Sequence, residues 1–229
     1  MTTPTRYTNG VSSEVTGVFR DLPFLNPTSH VTYFNDFLAY NAADWTITEV
    51  EAGAGDASIA LADGFGGWLV LTNDDADNDA ISMQLDKESF KFAANKKCFF
   101  EVRFKISDAT QSDILFGLVI TDTTPLAFTD GVAFRKDDGD ADIDFASLKD
   151  SAGTTATAAT TIANDTFVKL GFVFDGLNFK LFKDGALLQT LDAATIPDDE
   201  DLSVTFHVQN GEAVAKNMTV DYIYVAQER

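Results

Sequence analysis

Residues 167–190 read FVKLGFVFDGLNFKLFKDGALLQT, and this stretch decides the fold. It holds two Asp-Gly pairs, Asp175-Gly176 and Asp184-Gly185, each set between short runs of Phe, Leu and Val. Asp-Gly suits the positive-φ positions of a tight hairpin turn, because Gly has no Cβ and Asp tolerates that region better than most residues. Val168, Leu170, Phe172 and Phe174 alternate with Lys169, Gly171 and Val173, the period-2 pattern of a strand with one buried face. The spacing predicts a three-stranded antiparallel meander, and with it an all-β protein.

The same pattern extends outward. In CFFEVRFKIS, Cys98, Phe100, Val102, Phe104 and Ile106 point one way while Glu101, Arg103, Lys105 and Ser107 point the other. DILFGLVIT (113–121) is apolar on both faces, as expected of a central strand covered on two sides. GVAFRK and ADIDFASLK pair around the acidic turn DDGD, and TTATAATTI reads as a strand because Thr favours extended backbone. LSVTFHV places Leu202, Val204, Phe206 and Val208 inward, and MTVDYIYVAQ is the last strand. VTYFNDFLAY, DWTITEV, GGWLVLT and AISMQL supply the earlier ones. The total is roughly fourteen short strands, with turn signals at sandwich spacing and no helical period.

The 229 residues suffice for one sandwich with a full core, supplied largely by twenty Phe. Cys98 is the only cysteine, so no internal disulfide framework exists, and its place among the inward residues makes it a small buried hydrophobe. The net charge of −20, from 36 acidic against 16 basic residues, repels phosphate backbones and argues against nucleic acid as a partner. No apolar run approaches the length of a membrane span, and MTTPTRYTNGVSSE lacks a signal peptide's apolar core. The sequence-based expectation is therefore cytoplasmic synthesis without membrane contact.

Residues 1–30 differ from the rest. A Thr/Ser/Asn-rich start gives way to VFRDLPFLNP, where Phe19, Leu22, Phe24 and Leu25 crowd around Pro23 and Pro27. Proline forbids a regular helix there, and the apolar residues show no strand alternation. We read 1–30 as an irregular arm and 31–229 as the sandwich. The arm lies either across its own sandwich or against another subunit, with those four apolar residues as the anchor.

Two acidic clusters are candidates for chemistry. Asp75-x-Asp77-x-Asp79 echoes a calcium loop, yet Ala80 stands where such a loop needs Gly and strand-like ISMQL replaces the following helix. Asp140, Asp142 and Asp144 share one strand face, opposite Ile143 and Phe145. A solvated acidic edge, which also discourages edge-to-edge association, accounts for both, so no metal or other cofactor is assigned. Glycoside hydrolysis needs two carboxylates across a sugar. Glu101 is the only acid in its strand, and the 140–144 run lacks Glu. His30 and His207 have no nucleophile motif nearby, and His207, beside Thr205 and Gln209, reads as a surface residue. No catalytic residue is assigned, and no enzymatic activity is expected.

FFEVRFKIS, ILFGLVIT, DGVAFRKDDGDADIDF and VKLGFVFDGLNFKLFKDGALL, in that order, resemble the concanavalin A-like (laminin G-like) jelly roll over residues 31–226. The resemblance implies an antiparallel β-sandwich of two stacked curved sheets; it implies fold far more than function. The two ends, VTYFNDFLAYNAADWTIT and MTVDYIYVAQER, resemble structural proteins of tailed, especially marine, bacteriophages. That likeness implies a capsid decoration (cement) protein on the virion surface, bound to the major capsid protein and to neighbouring copies of itself, and stabilising the shell. The alternative within the fold is a carbohydrate-binding, lectin-like module of a phage fibre or tail, with or without calcium. Trp45 and Trp68 are its aromatic candidates, although both fall in strand-like runs where a core position is expected.

Overall fold

The computed structural model describes residues 29–229. They form fifteen strands: β1 (His30–Asn35), β2 (Trp45–Val50), β3 (Ser58–Ala62), β4 (Trp68–Thr72), β5 (Ala80–Leu85), β6 (Cys98–Ile106), β7 (Ser112–Val119) and β8 (Gly131–Lys136) come first. β9 (Asp142–Lys149), β10 (Ala152–Thr161), β11 (Val168–Phe174), β12 (Asn178–Lys183), β13 (Ala186–Asp192), β14 (Ser203–Asn210) and β15 (Asn217–Glu228) follow. The only helical pieces among the described residues are 3-10 turns at Ala42–Asp44 and Pro125–Ala127.

Two antiparallel sheets result. One has eight strands in the order β13-β12-β11-β6-β15-β4-β3, with β1 also on β15; the other has seven, in the order β10-β9-β8-β7-β14-β5-β2. β15 is twelve residues long, which lets one edge serve two partners. Its residues 217–220 pair with β4 and its residues 223–228 pair with β1. The expected meander is present as β11-β12-β13. Its two Asp-Gly turns work differently. Asp184 (φ 50°) and Gly185 (φ 82°) both take positive φ. In the first turn only Gly176 does so; there the Asp175 carboxylate accepts hydrogen bonds from the Leu177 and Asn178 amides, at 3.1 and 2.9 Å.

Phenylalanine holds the sheets together. Phe172 lies among Phe100 (5.3 Å between ring centroids), Phe145 (5.7 Å), Phe179 (6.0 Å) and Phe134 (6.2 Å), so rings from both sheets meet on it. Phe104 of the eight-stranded sheet meets Phe116 of the seven-stranded one at 4.3 Å. Each such ring, fully removed from water, contributes about 1.5–3 kcal/mol. Cys98 belongs to this core, and burial pushes its thiol well above the ordinary range, so it is unreactive.

β7 has the double burial its sequence requires. Ile114, Phe116 and Leu118 face the sandwich interior, while Leu115 and Val119 face outward into a second cluster with Phe128, Ala133 and Ala146. Half-buried Leu126 and Leu148 pack against that cluster, so the segment after β7 folds back over its own sheet.

Candidate functional site

The two outer faces have different fates. On the seven-stranded sheet the outward residues of β5 and β14 are polar and yet buried: Ser82, Gln84, Ser203, Thr205 and His207. All but His207 Nε2 find partners, in one another or in the backbone. Gln84 donates to the Ile120 carbonyl and to Thr205 Oγ1, both at 3.1 Å, and accepts from the Asp122 amide at 3.0 Å. Ser203 Oγ donates to the Leu85 carbonyl at 2.7 Å. The expectation of a surface His207 is wrong: it is 4% exposed, with Nδ1 2.7 Å from Ser82 Oγ, and burial pulls its pKa down to about 4. Alternation had placed it outward, but outward on this sheet means covered.

The outer face of the eight-stranded sheet is different. β6 presents Phe99, Glu101, Arg103 and Lys105, all half-buried, beside the buried inward row. On β15 the register shifts between Val220 and Tyr222, a bulge that lets two consecutive residues, Asp221 and Tyr222, leave the core. Asp221 receives Arg103 as an ion pair. Tyr222 donates its hydroxyl to Glu101 at 2.5 Å, and burial together with this bond raises the phenol's pKa. Tyr224 stands opposite Glu101, and Phe34 stands opposite Tyr224 on β1.

These side chains form a strip with aromatic groups at both ends. At one end Phe34 lies 5.9 Å from Tyr224 and 6.1 Å from Tyr222, with Phe99 5.3 Å from Tyr224. Phe34 is 58% exposed. At the other end Phe167 and Trp68 are 5.2 Å apart. The Arg103 guanidinium carbon sits 4.2 Å over the Phe167 ring, and Lys105 Nζ lies 5.4 Å from Phe167 and 5.7 Å from Trp68. Gly64 closes on the Trp68 indole, where a Cβ would fall 2.2 Å from Cε2. Between the ends run two tied pairs, Tyr222–Glu101 and Arg103–Asp221. The strip therefore offers ring faces for apolar stacking and fixed charged groups for hydrogen bonding, on one outer face that no other described strand covers.

The sequence-predicted residues distribute as follows. Phe19, Leu22, Phe24 and Leu25 lie outside the described residues. Trp45 is in the core, 5.2 Å from Phe206, as expected. Trp68 is not: it faces outward, half-buried, because β4 places Leu69 and Leu71 in the core instead. The acidic loops are bound to backbone. Asp79 accepts from the Ala52 and Ala76 amides at 2.6 and 3.0 Å, Asp140 from Asp142 at 2.8 Å, and Asp144 from Ala158 at 2.7 Å. Among the described residues, no three His, Cys, Asp or Glu side chains are grouped to hold a metal ion. Sequence reasoning missed Phe34, Phe99, Tyr222 and Tyr224. Part of the signal was present: Phe34 and Phe99 are out of phase with the inward row of their strands, and Tyr222 and Tyr224 with Ile223 and Val225, whereas the bulge that separates these tyrosines from the Met218–Val220 phase has no local mark.

No family model and no curated protein matches the sequence. Solved structures do match in shape. A protein of unknown function from Shewanella oneidensis MR-1 superposes with a TM-score of 0.58 at 14% identity, over 87% of this chain and 87% of that one. The carbohydrate recognition domain of Emp46p gives 0.58 at 14%, over 83% and 94%. An endo-1,3-β-glucanase from Streptomyces sioyaensis gives 0.59 at 14%, over 88% and 97%. At such identities these likenesses establish the fold alone, a concanavalin A-like jelly-roll sandwich.

Proposed function

We propose that this protein is a non-catalytic carbohydrate-binding sandwich whose sugar lies along the outer face of the eight-stranded sheet. The observation that carries the reading is the strip from Phe34 to Trp68, in which five aromatic rings, those of Phe34, Tyr224, Phe99, Phe167 and Trp68, flank the two tied pairs Tyr222–Glu101 and Arg103–Asp221. Sugar rings have apolar C–H faces that pack on aromatic side chains, and hydroxyl edges that hydrogen-bond to charged groups already fixed in place. The likeness to a carbohydrate recognition domain and to a glucanase supports the same choice of ligand class.

The non-catalytic part of this reading is supported by how the acids of the strip are used. Glu101 and Asp221, the carboxylates of the strip, are engaged by Tyr222 and Arg103, which suits them to orient hydroxyls rather than to exchange protons. On the other sheet the outward positions of β8 are Gly131, Ala133 and Arg135, with no carboxylate. The capsid-decoration reading rests on the likeness of the two chain ends and on an anchor outside the described residues. The likeness to a carbohydrate recognition domain and to a glucanase lends it no support. A place on a virion is compatible with a glycan-binding face but is not required by it.

The test is titration of the full chain against a panel of soluble polysaccharides by calorimetry, with Phe34→Ala/Tyr224→Ala as the variant. The expected result is saturable binding that weakens at least tenfold in the variant, with an unchanged circular dichroism spectrum. If the protein binds no polysaccharide, or the variant binds equally well, the reading falls.

A further inference from the structure

We infer that the glycan taken by this face is anionic, a polysaccharide bearing carboxylate or sulfate groups, and that Arg103, Lys105 and Lys169 receive them. The inference rests on the carbohydrate reading above and refines it. The first observation is register. Arg103 on β6 stands directly opposite Lys169 on β11, and Lys105 lies one outward position further along β6, against Phe167. Like charges directly opposite on antiparallel strands repel, so an unliganded sheet gains nothing from this pairing. In a chain with 36 acidic and 16 basic residues, three cations gather at adjacent outward positions, beside two carboxylates already engaged, Asp221 by Arg103 and Glu101 by Tyr222.

The second observation is a surplus of donors. Among the described residues, only Arg103 of the three has its charged group on a carboxylate, that of Asp221. Lys105 Nζ meets only the rings of Phe167 and Trp68, and no ion pair engages Lys105 or Lys169 among the described residues. A corner with more donors than acceptors is completed by a ligand that supplies oxygen acceptors and negative charge. A neutral sugar supplies the first, while a uronate or sulfate ester supplies both. The overall charge of −20 opposes polyanions in general, so selectivity then comes from ring stacking combined with the cations that no described carboxylate neutralises, Lys105 and Lys169.

The experiment compares the full chain's affinity for polygalacturonate, dextran sulfate, unmodified dextran, laminarin and poly-L-glutamate. Affinities are measured at 50 and 500 mM NaCl, for the wild type and for Lys105→Gln/Lys169→Gln. The expected result is that polygalacturonate or dextran sulfate binds at least tenfold more tightly than the two neutral glucans. Salt removes at least tenfold of that affinity, and the double variant falls to the neutral-glucan level with its fold intact. Whichever of the two anionic polymers binds better identifies the charged group. Neutral glucans binding as tightly as the anionic ones, with no salt dependence, would overturn the anionic assignment and leave the carbohydrate reading standing. Binding to none of the polysaccharides overturns both. Equal binding of poly-L-glutamate shows a mere polyanion patch and also overturns the inference.

Discussion

The outer faces of the two sheets are built from the same alternation and end in opposite states. On the seven-stranded sheet, outward Ser82, Gln84, Thr205 and His207 are buried in a closed polar network, next to the apolar cluster of Leu115, Val119 and Phe128. On the eight-stranded sheet, outward Phe99, Arg103, Tyr222 and Tyr224 remain half-buried and open. The difference teaches that residue type is a poor guide to exposure here. The polar face is closed, and the aromatic face is open. A closed polar face is stable only because nearly every buried group is paired, whereas an open aromatic face is retained at a cost that a ligand can offset.

The comparison can be broken most directly by pH. His207 is held neutral in the folded state at about 4, below its ordinary 6.5. The stability it contributes is therefore complete above pH 6.5 and lost as pH falls toward 4. Asp113, raised by burial to about 6, acts in the opposite sense over much of that window, since its folded carboxyl takes up a proton first. Comparing wild type with His207→Gln cancels the Asp113 contribution. Between pH 6.5 and pH 4 the wild type should lose about 3 kcal/mol relative to the variant in urea unfolding. A constant difference would mean that His207 is solvated and that the face is not closed.

A matched pair of glycine substitutions sharpens the contrast. Gly117 faces outward on β7, and a Cβ there would fall 2.3 Å from the Val132 carbonyl oxygen and 2.5 Å from Ala133 Cβ. Gly171 faces outward on β11, where the nearest atom, the Phe100 carbonyl oxygen, would be 2.9 Å away. Overpacking should cost about 3 kcal/mol in Gly117→Ala and about 1 kcal/mol in Gly171→Ala, measured by chemical denaturation. Equal costs would remove the distinction between the two faces. The smallest effect belongs to Phe34→Ala. With 58% of its surface already in water, this ring should contribute less than about 1 kcal/mol to folding while its loss weakens glycan binding. A large fall in melting temperature would make it a structural residue instead.

Legibility followed the range of the forces involved. The β11-β12-β13 meander, the inward row of β6 and the doubly buried β7 were readable because alternation and turn chemistry are local, acting over two to four residues. Trp45 in the core was read correctly for the same reason. Trp68 and His207 were misread. Alternation assigns a residue to a side of its sheet but is silent on what lies beyond that side. Phe99 in CFFEVRFKI and the tyrosines of DYIYV were visible as aromatics out of phase, yet nothing local marked them as neighbours.

By itself, then, the sequence determined an all-β antiparallel sandwich, its strands, the residues that fill its interior and the strongly acidic character of its surface. Only the tertiary structure decided which outer face stays open. It brought Phe34, Phe99, Phe167, Trp68 and the β15 tyrosines together from five separate stretches of chain, and it set Arg103 opposite Lys169. The reason is physical. Burial inside a sandwich is dictated by a two-residue period that every strand carries on its own. Proximity across a sheet depends on strand order and register, which emerge only when segments more than a hundred residues apart pair.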